Sequence, residues 1–329
     1  MSSEANVMAD KGIVKGQAKV VAAKRKKSLG SILWAQKVLI LMSIPLLIHR
    51  IIFSYLPLYG WTMAFQNFRP AIRSIWDQTW VGFDHFEMLL IGPLSERFFR
   101  SVINTLGQSS LMLLTGTIGA IILSLLLNEM KQIGAKRIIQ NILYLPHFLG
   151  MIIIAGLASR MLSLDGAVNQ FIGLFGVDPV LFLGRAEYFW GIMAGINLWR
   201  TLGWSSIIYL AAMTGIDPSL YEAAEVDGAN RYQKMWYITL PGIKSTIIIL
   251  LIMNLGWILN AGFELQWILG NGLINSRAEI LDVFILRFGI EQNNFSLATA
   301  AGILRTAVSI FMVVTANLLA KAMGQERLI

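Results

Sequence analysis

The sequence predicts an all-α, polytopic membrane protein with six transmembrane helices and both termini in the cytoplasm. Three observations predict it. Of 329 residues, 56% are hydrophobic and only 14% are charged, against about 25% charged in an ordinary soluble domain. Several apolar runs reach the ~20 residues needed to cross a hydrocarbon core about 30 Å thick. The lysines, finally, are confined to the tail and alternate connecting segments, which marks the cytoplasmic side.

Residues 1–36 form a polar tail with Lys24, Arg25, Lys26 and Lys27 in succession. It lacks the early apolar core and small-residue cleavage site of a signal peptide. Its basic cluster reads as a topological anchor, or as a patch for lipid or nucleic acid. The membrane domain occupies 37–329, with spans expected near 37–59, 102–127, 138–161, 188–212, 243–265 and 298–320. Of 27 Lys and Arg, 16, including all 12 lysines, lie in the tail, the 128–137 loop, the 214–244 segment or the C-terminal end. The opposite side, with loops near 60–101, 162–187 and 266–297 and Arg160 at the edge of the second, holds eight arginines and no lysine. These loops are rich in Trp, Phe and acidic residues, as in "SIWDQTWVGFDHF" from Ser74 to Phe86. Such residues suit either the bilayer interface or the docking of an external protein. No strand pattern is evident.

The net charge of +8 follows from this asymmetry and calls for no nucleic acid. There is no cysteine, and His49, His85 and His147 have no ligand spacing, so neither a disulfide nor a metal site is expected.

One polar island interrupts the apolar second half, the loop 214–242. Asp217 is placed as a helix N-cap, Pro218 suits the first helical position, and Gly228 permits a reversal strained for other residues. A second short helix is expected through Tyr237, with Pro241 opening the next span. Ala223, Ala224 and Ala229 would let another surface approach closely. These residues form either a helical knob or a plain surface loop.

Glu222-Ala223-Ala224, then Asp227-Gly228-Ala229, then Ile238-Thr239-Leu240-Pro241 resembles the EAA loop of permease subunits in binding-protein-dependent ABC importers. The spacing matches without a gap. "SYLPLYG" after the first span, "NILYLPHFLG" in the third and "NLWRTLGWSSIIYLAAMTGID" before the loop resemble the poly- and oligosaccharide branch, including permeases of alginate importers. The resemblance covers roughly 38–325. It implies a type I importer permease fold in the bacterial cytoplasmic membrane, and a saccharide substrate, acidic by likeness to the alginate importers. It also implies a second related permease, an external solute-binding protein and two cytoplasmic ATPase subunits that hold the ATP and Mg. Glu222, Ala223, Ala224, Asp227, Gly228 and Ala229 would then couple the permease to the ATPase. Glu222 would meet a basic residue there, the alanines would allow close packing, and Gly228 would make the bend.

The chain does not read as the motor. "PGIKST" at 241–246 lacks the Gly-Lys pair of a phosphate-binding loop. No catalytic residues are expected, and no cofactor in this chain. A membrane enzyme would need a nucleophile, base or metal cluster at one interface. A secondary transporter would usually show paired membrane-embedded carboxylates, and only Glu264 approaches a span.

Polar residues within spans are costly and often functional. Arg200 and Trp204 are one helical turn apart, with Asn197 and Trp199 beside them; a guanidinium grips a carboxylate and an indole stacks on a sugar ring. Asn254, Trp257 and Asn260 form a second candidate lining of a substrate path. Both groups fit helix packing equally well. Arg305 needs a carboxylate from elsewhere in the chain, and Gly116 and Gly119 suit close helix contact.

Overall fold

The computed structural model describes residue 34 and residues 36–322, except 73, 257, 260 and 261. Nearly all of the 1–36 tail and the path candidates Trp257 and Asn260 therefore lie outside the described residues. The described chain divides into two compact units, one ending at Gly60 and the other starting at Trp61.

In the first unit, α1 (Lys37–Arg50) runs into a π turn at Ile51–Tyr55, where the Leu56 N–H reaches the Ile51 carbonyl. The cause is local. Pro57 has no N–H for the Phe53 carbonyl, and the turn before it widens. The two polar residues of this run find partners one turn on: Arg50 donates to Ser54 Oγ at 3.0 Å, and the His49 ring lies 4.8 Å from that of Phe53.

The second unit starts with a small antiparallel pair, β1 (Gln66–Asn67) and β2 (Thr79–Trp80), in a region the sequence marked only as loop. Two-residue strands are too short to show a period. Side chains hold the pair instead: buried Gln78 bonds both the N–H and the carbonyl of Arg69, and the Gln66 carbonyl accepts from Ser296 Oγ at 2.6 Å. The helices that follow are α2 (Asp84–Leu90), α3 (Ser95–Asn128), α4 (Ile133–Tyr144), α5 (Met151–Met161), α6 (Ala167–Gly173), α7 (Ala186–Met213), α8 (Pro218–Val226), α9 (Arg231–Lys234), α10 (Lys244–Gly256), α11 (Glu264–Leu269), α12 (Asn275–Ala278), α13 (Leu281–Leu286) and α14 (Phe295–Ala322).

The long pair α3 and α7 is the spine. Glycines on α3 set their distance: a Cβ on Gly107 would fall 2.3 Å from the Trp190 ring, and one on Gly119 would fall 2.6 Å from Leu198. A further buried cluster joins Phe98 of α3 to Leu281, Phe284 and Phe288 and to Leu297, Ala300 and Ala301 of α14.

Among the described residues, three helical segments are long and apolar enough to cross a bilayer: Lys37–Phe65, Ser95–Asn128 and Phe295–Thr315. Helix α7 is 28 residues long, about 42 Å at 1.5 Å per residue. The span expected over 138–161 is not straight: α4 and α5 meet at 102° across Leu145–Gly150. Pro146 opens a 3₁₀ turn there, and Gly150 adopts an extended conformation that starts α5 afresh. The fifth span also differs from expectation. The helix after the polar loop does not stop at Tyr237 but continues from Arg231 to Gly242, and Pro241 lies inside it. A π turn at Met235–Thr239 precedes that proline, the same device as before Pro57. The chain bends by 56° into α10, which ends at Gly256 rather than near 265.

Candidate functional site

Among the described residues, the 214–242 loop and a cavity between α3, α7 and α10 combine polar chemistry with access.

The loop is built by caps. Asp217 accepts from the Ser219 N–H at 2.9 Å, and that bond holds its carboxyl below the usual carboxylate range. Helix α8 then closes in a Schellman motif, with Ala229 N–H on the Ala224 carbonyl at 2.8 Å and Gly228 N–H on the Glu225 carbonyl at 3.1 Å. That closure needs a left-handed residue, and Gly228 has φ +78°. Asn230 and Gln233 cap α9 reciprocally, at 2.7 and 3.0 Å. Tyr221 fastens the knob to the following helix through the buried Thr239 hydroxyl, 2.9 Å away. The outer side carries Glu222, Ala223, Asp227 and Gly228, all exposed, while Ala224 and Ala229 are half-buried. Val226, Tyr232, Trp236 and Tyr237 are exposed beside them. The loop is thus a preformed, exposed and partly apolar surface.

The cavity has a volume of about 370 Å³. Its polar lining is Ser109 and Thr117 from α3, Asn197, Thr201, Trp204, Ser205 and Tyr209 from α7, and Asn254 from α10. Asn197, Thr201, Trp204 and Ile208 share one helix face at the α-helical period. Gly116 keeps α3 low opposite them, 3.9 Å from the Asn197 amide at its Cβ position. The Ser109 hydroxyl is buried without a hydrogen-bond partner among the described residues.

The candidate path residues divide around α7. Asn197, Trp204 and Asn254 line the cavity. Trp199 lies on the opposite face, in a groove lined by Ile154, Leu157, Ile192 and Ile196. Arg200 lines neither space; its Nε is buried without a hydrogen-bond partner among the described residues. One face of Trp204 is already covered: the His147 ring stacks on it, centroids 4.6 Å apart and planes within 1°.

Sequence reasoning did not find the ion-pair clusters at the far end of α3 and α14. Glu279 is buried, and both its oxygens accept from Arg97, at 2.6 and 2.8 Å; Arg287 adds a third bond at 2.9 Å. Burial alone would raise the Glu279 carboxyl, but the bonds and charges of Arg97 and Arg287 outweigh it and hold the group below its usual range. Arg305 meets Asp282 at 2.5 Å and donates to the Leu259 carbonyl, in the non-helical stretch after α10. No spacing signal announces partners 182 residues apart.

The family model described as "Binding-protein-dependent transport system inner membrane component" matches residues 116–325, which take in the polar loop, α7, α10 and the last part of α3. The chain belongs to that family. It is therefore a membrane permease subunit of ABC importers and not an enzyme. It is 41% identical to the "Polygalacturonan/rhamnogalacturonan transport system permease protein YteP" of Bacillus subtilis over 92% of this chain and 93% of that one. It is 38% identical to "Protein LplB" of the same organism, over 95% and 98%. A permease chain in the crystal structure of a bacterial ABC transporter that imports the acidic polysaccharide alginate matches with TM-score 0.82 and 39% identity, over 90% of this chain and 99% of that one. A second structure of a bacterial alginate transporter, in complex with an alginate pentasaccharide-bound periplasmic protein, matches with TM-score 0.82 and 38% identity over 92% and 100%. The fold is that of a type I ABC importer permease.

Proposed function

We propose that this permease carries acidic oligo- or polysaccharide inward. It would do so with a second permease, two ATPase subunits that bind ATP and Mg, and an external saccharide-binding protein. The observation that carries the reading is the cavity, where one indole and a set of neutral hydroxyl and amide groups converge between three helices. Sugars are bound in this way, by an apolar ring face and many modest hydrogen bonds. Relatives named for polygalacturonan and for alginate support the acidic class. Arg200, one turn from Trp204, supplies positive charge beside the path. Glu222, Ala223, Ala224, Asp227, Gly228 and Ala229 form the face offered to the ATPase. The topology that serves this has six spans with the loop and both termini in the cytoplasm, and transport follows alternating access around the cavity.

The test is reconstitution of the complete importer in proteoliposomes, with ATPase and uptake measured against oligogalacturonate, oligomannuronate and neutral maltooligosaccharide. Acidic oligomers should drive both activities, and neutral ones far less. Equal rates would overturn the acidic class, and no saccharide response at all would overturn the function. Arg200→Gln should weaken uptake of the acidic oligomers a few-fold more than that of any neutral one, as expected of a charge that lies beside the cavity and acts on the saccharide through space.

A further inference from the structure

Trp204 is half-exposed on the cavity wall, and its orientation is imposed from behind. Behind it lies the break between α4 and α5. There the backbone turns by 102° and brings His147 and Phe148 against α7. The approach is as close as it can be: a Cβ on Gly203 would fall 2.3 Å from the Leu143 carbonyl oxygen. Only glycine lets the end of α4 seat there. The result is a His147 ring parallel to the indole, 4.6 Å from it, and a Phe148 ring edge-on at 5.9 Å. His147 and Phe148 are themselves 5.8 Å apart. Were they over opposite faces of the indole, that separation would approach the sum of the other two, so Phe148 stands on the His147 side or at the indole's edge and not over its second face. The second face of Trp204 is left to the cavity.

We propose that His147 is a positioning residue for transport. By stacking on the rear of Trp204 it holds the indole as a platform on which one pyranose ring of the saccharide stacks, with Ser109, Asn197 and Asn254 placed around the cavity for its hydroxyls. This rests on the saccharide reading above and names the subsite within it. The physical reason for a backing ring is entropic. A lone indole on a helix face has several rotamers open to it, and holding it flat before the sugar arrives removes that cost from binding. The imidazole suits the role because it is flat, and its Nδ1 is buried without a hydrogen-bond partner among the described residues, so no hydrogen bond there competes with the stack.

The experiment uses the complete importer in proteoliposomes with oligogalacturonate. His147→Leu keeps bulk but removes the flat face, and should raise KM about three- to tenfold, the range of one aromatic contact, with a smaller effect on kcat. His147→Phe, which restores a ring, should return KM to near the original value. In a Trp204→Leu background, His147→Leu should add nothing further, since the platform is already gone. A second measurement does not depend on these variants assembling. In importer labelled with 5-fluorotryptophan, the fluorine resonance lost on Trp204→Phe should shift when saccharide is trapped in the permease.

An unchanged KM in His147→Leu, failure of Phe to rescue, full additivity with Trp204→Leu, or no shift of the Trp204 resonance would each overturn the platform while leaving the function intact. Absence of saccharide uptake by the unaltered importer would overturn both.

Discussion

Glu279→Gln isolates the buried cluster that ties the 264–291 segment to α3. The carboxylate is 3% exposed and receives three bonds, two from Arg97 at 2.6 and 2.8 Å and one from Arg287 at 2.9 Å. Glutamine is nearly isosteric, but it keeps one acceptor oxygen and turns an amide NH₂ toward a guanidinium. At least one charge-assisted bond is lost, and such bonds contribute about 1.5–3 kcal/mol each. Two cations also lose their common counter-charge, and breaking a well-buried pair costs about 3–5 kcal/mol. Arg97 and Arg287 keep some access to water, with side chains 33% and 20% exposed, so the cost lies below that limit. About 2–4 kcal/mol is expected, a fall of several degrees in the thermal midpoint of the purified complex.

The pH dependence follows from the depressed carboxyl. A group whose folded pKa lies below its ordinary 4.5 stabilises the fold fully above that value, and the contribution is lost as pH falls through the folded pKa. The gap between the two proteins should therefore be constant from neutral pH to about 5 and shrink at lower pH. A double-mutant cycle with Arg97→Gln should return a coupling well above 0.5 kcal/mol. A midpoint for Glu279→Gln within a degree of the parent, or a gap that widens on acidification, would refute the reasoning.

Three further outcomes are expected. Gly228→Val meets open space but must adopt φ near +78°, so it should cost about 1–2 kcal/mol in the loop alone and uncouple ATP hydrolysis from uptake while the spans stay assembled; normal coupling ratios would contradict this. Gly203→Ala should prevent assembly of a stable permease because its Cβ meets backbone, whereas Gly195→Ala, with nothing within 4 Å, should be tolerated; yield on size-exclusion chromatography decides between them. Single cysteines at Gln132 and Ser163 in this cysteine-free chain should respectively resist and accept an impermeant thiol reagent in intact cells, and the reverse pattern would invert the proposed topology.

The membrane class and the polar loop were legible in the sequence because both are written in local signals. Composition and the lysine partition need no tertiary contact. The EAA-like run carries its own caps at Asp217 and Gly228, so its backbone is determined within about 20 residues of chain. The tertiary structure alone decided the rest. Helical periodicity put Arg200 and Trp204 a turn apart, but packing sent Trp204 to the cavity, kept Arg200 off its lining and put Trp199 on the opposite face. The bends at Pro146 and after Gly242, and the helix end at Gly256, broke spans that hydropathy drew as continuous, since an apolar run reports burial in lipid and not direction. Arg305 announced a missing carboxylate without naming it, and Asp282 of α13 and Glu279 just before it belong to a segment that only the folded chain brings to α14 and α3. Local sequence determines what a segment can form. Which charges meet, and which face of a helix looks into the cavity, depend on long-range packing, which no period along the chain encodes.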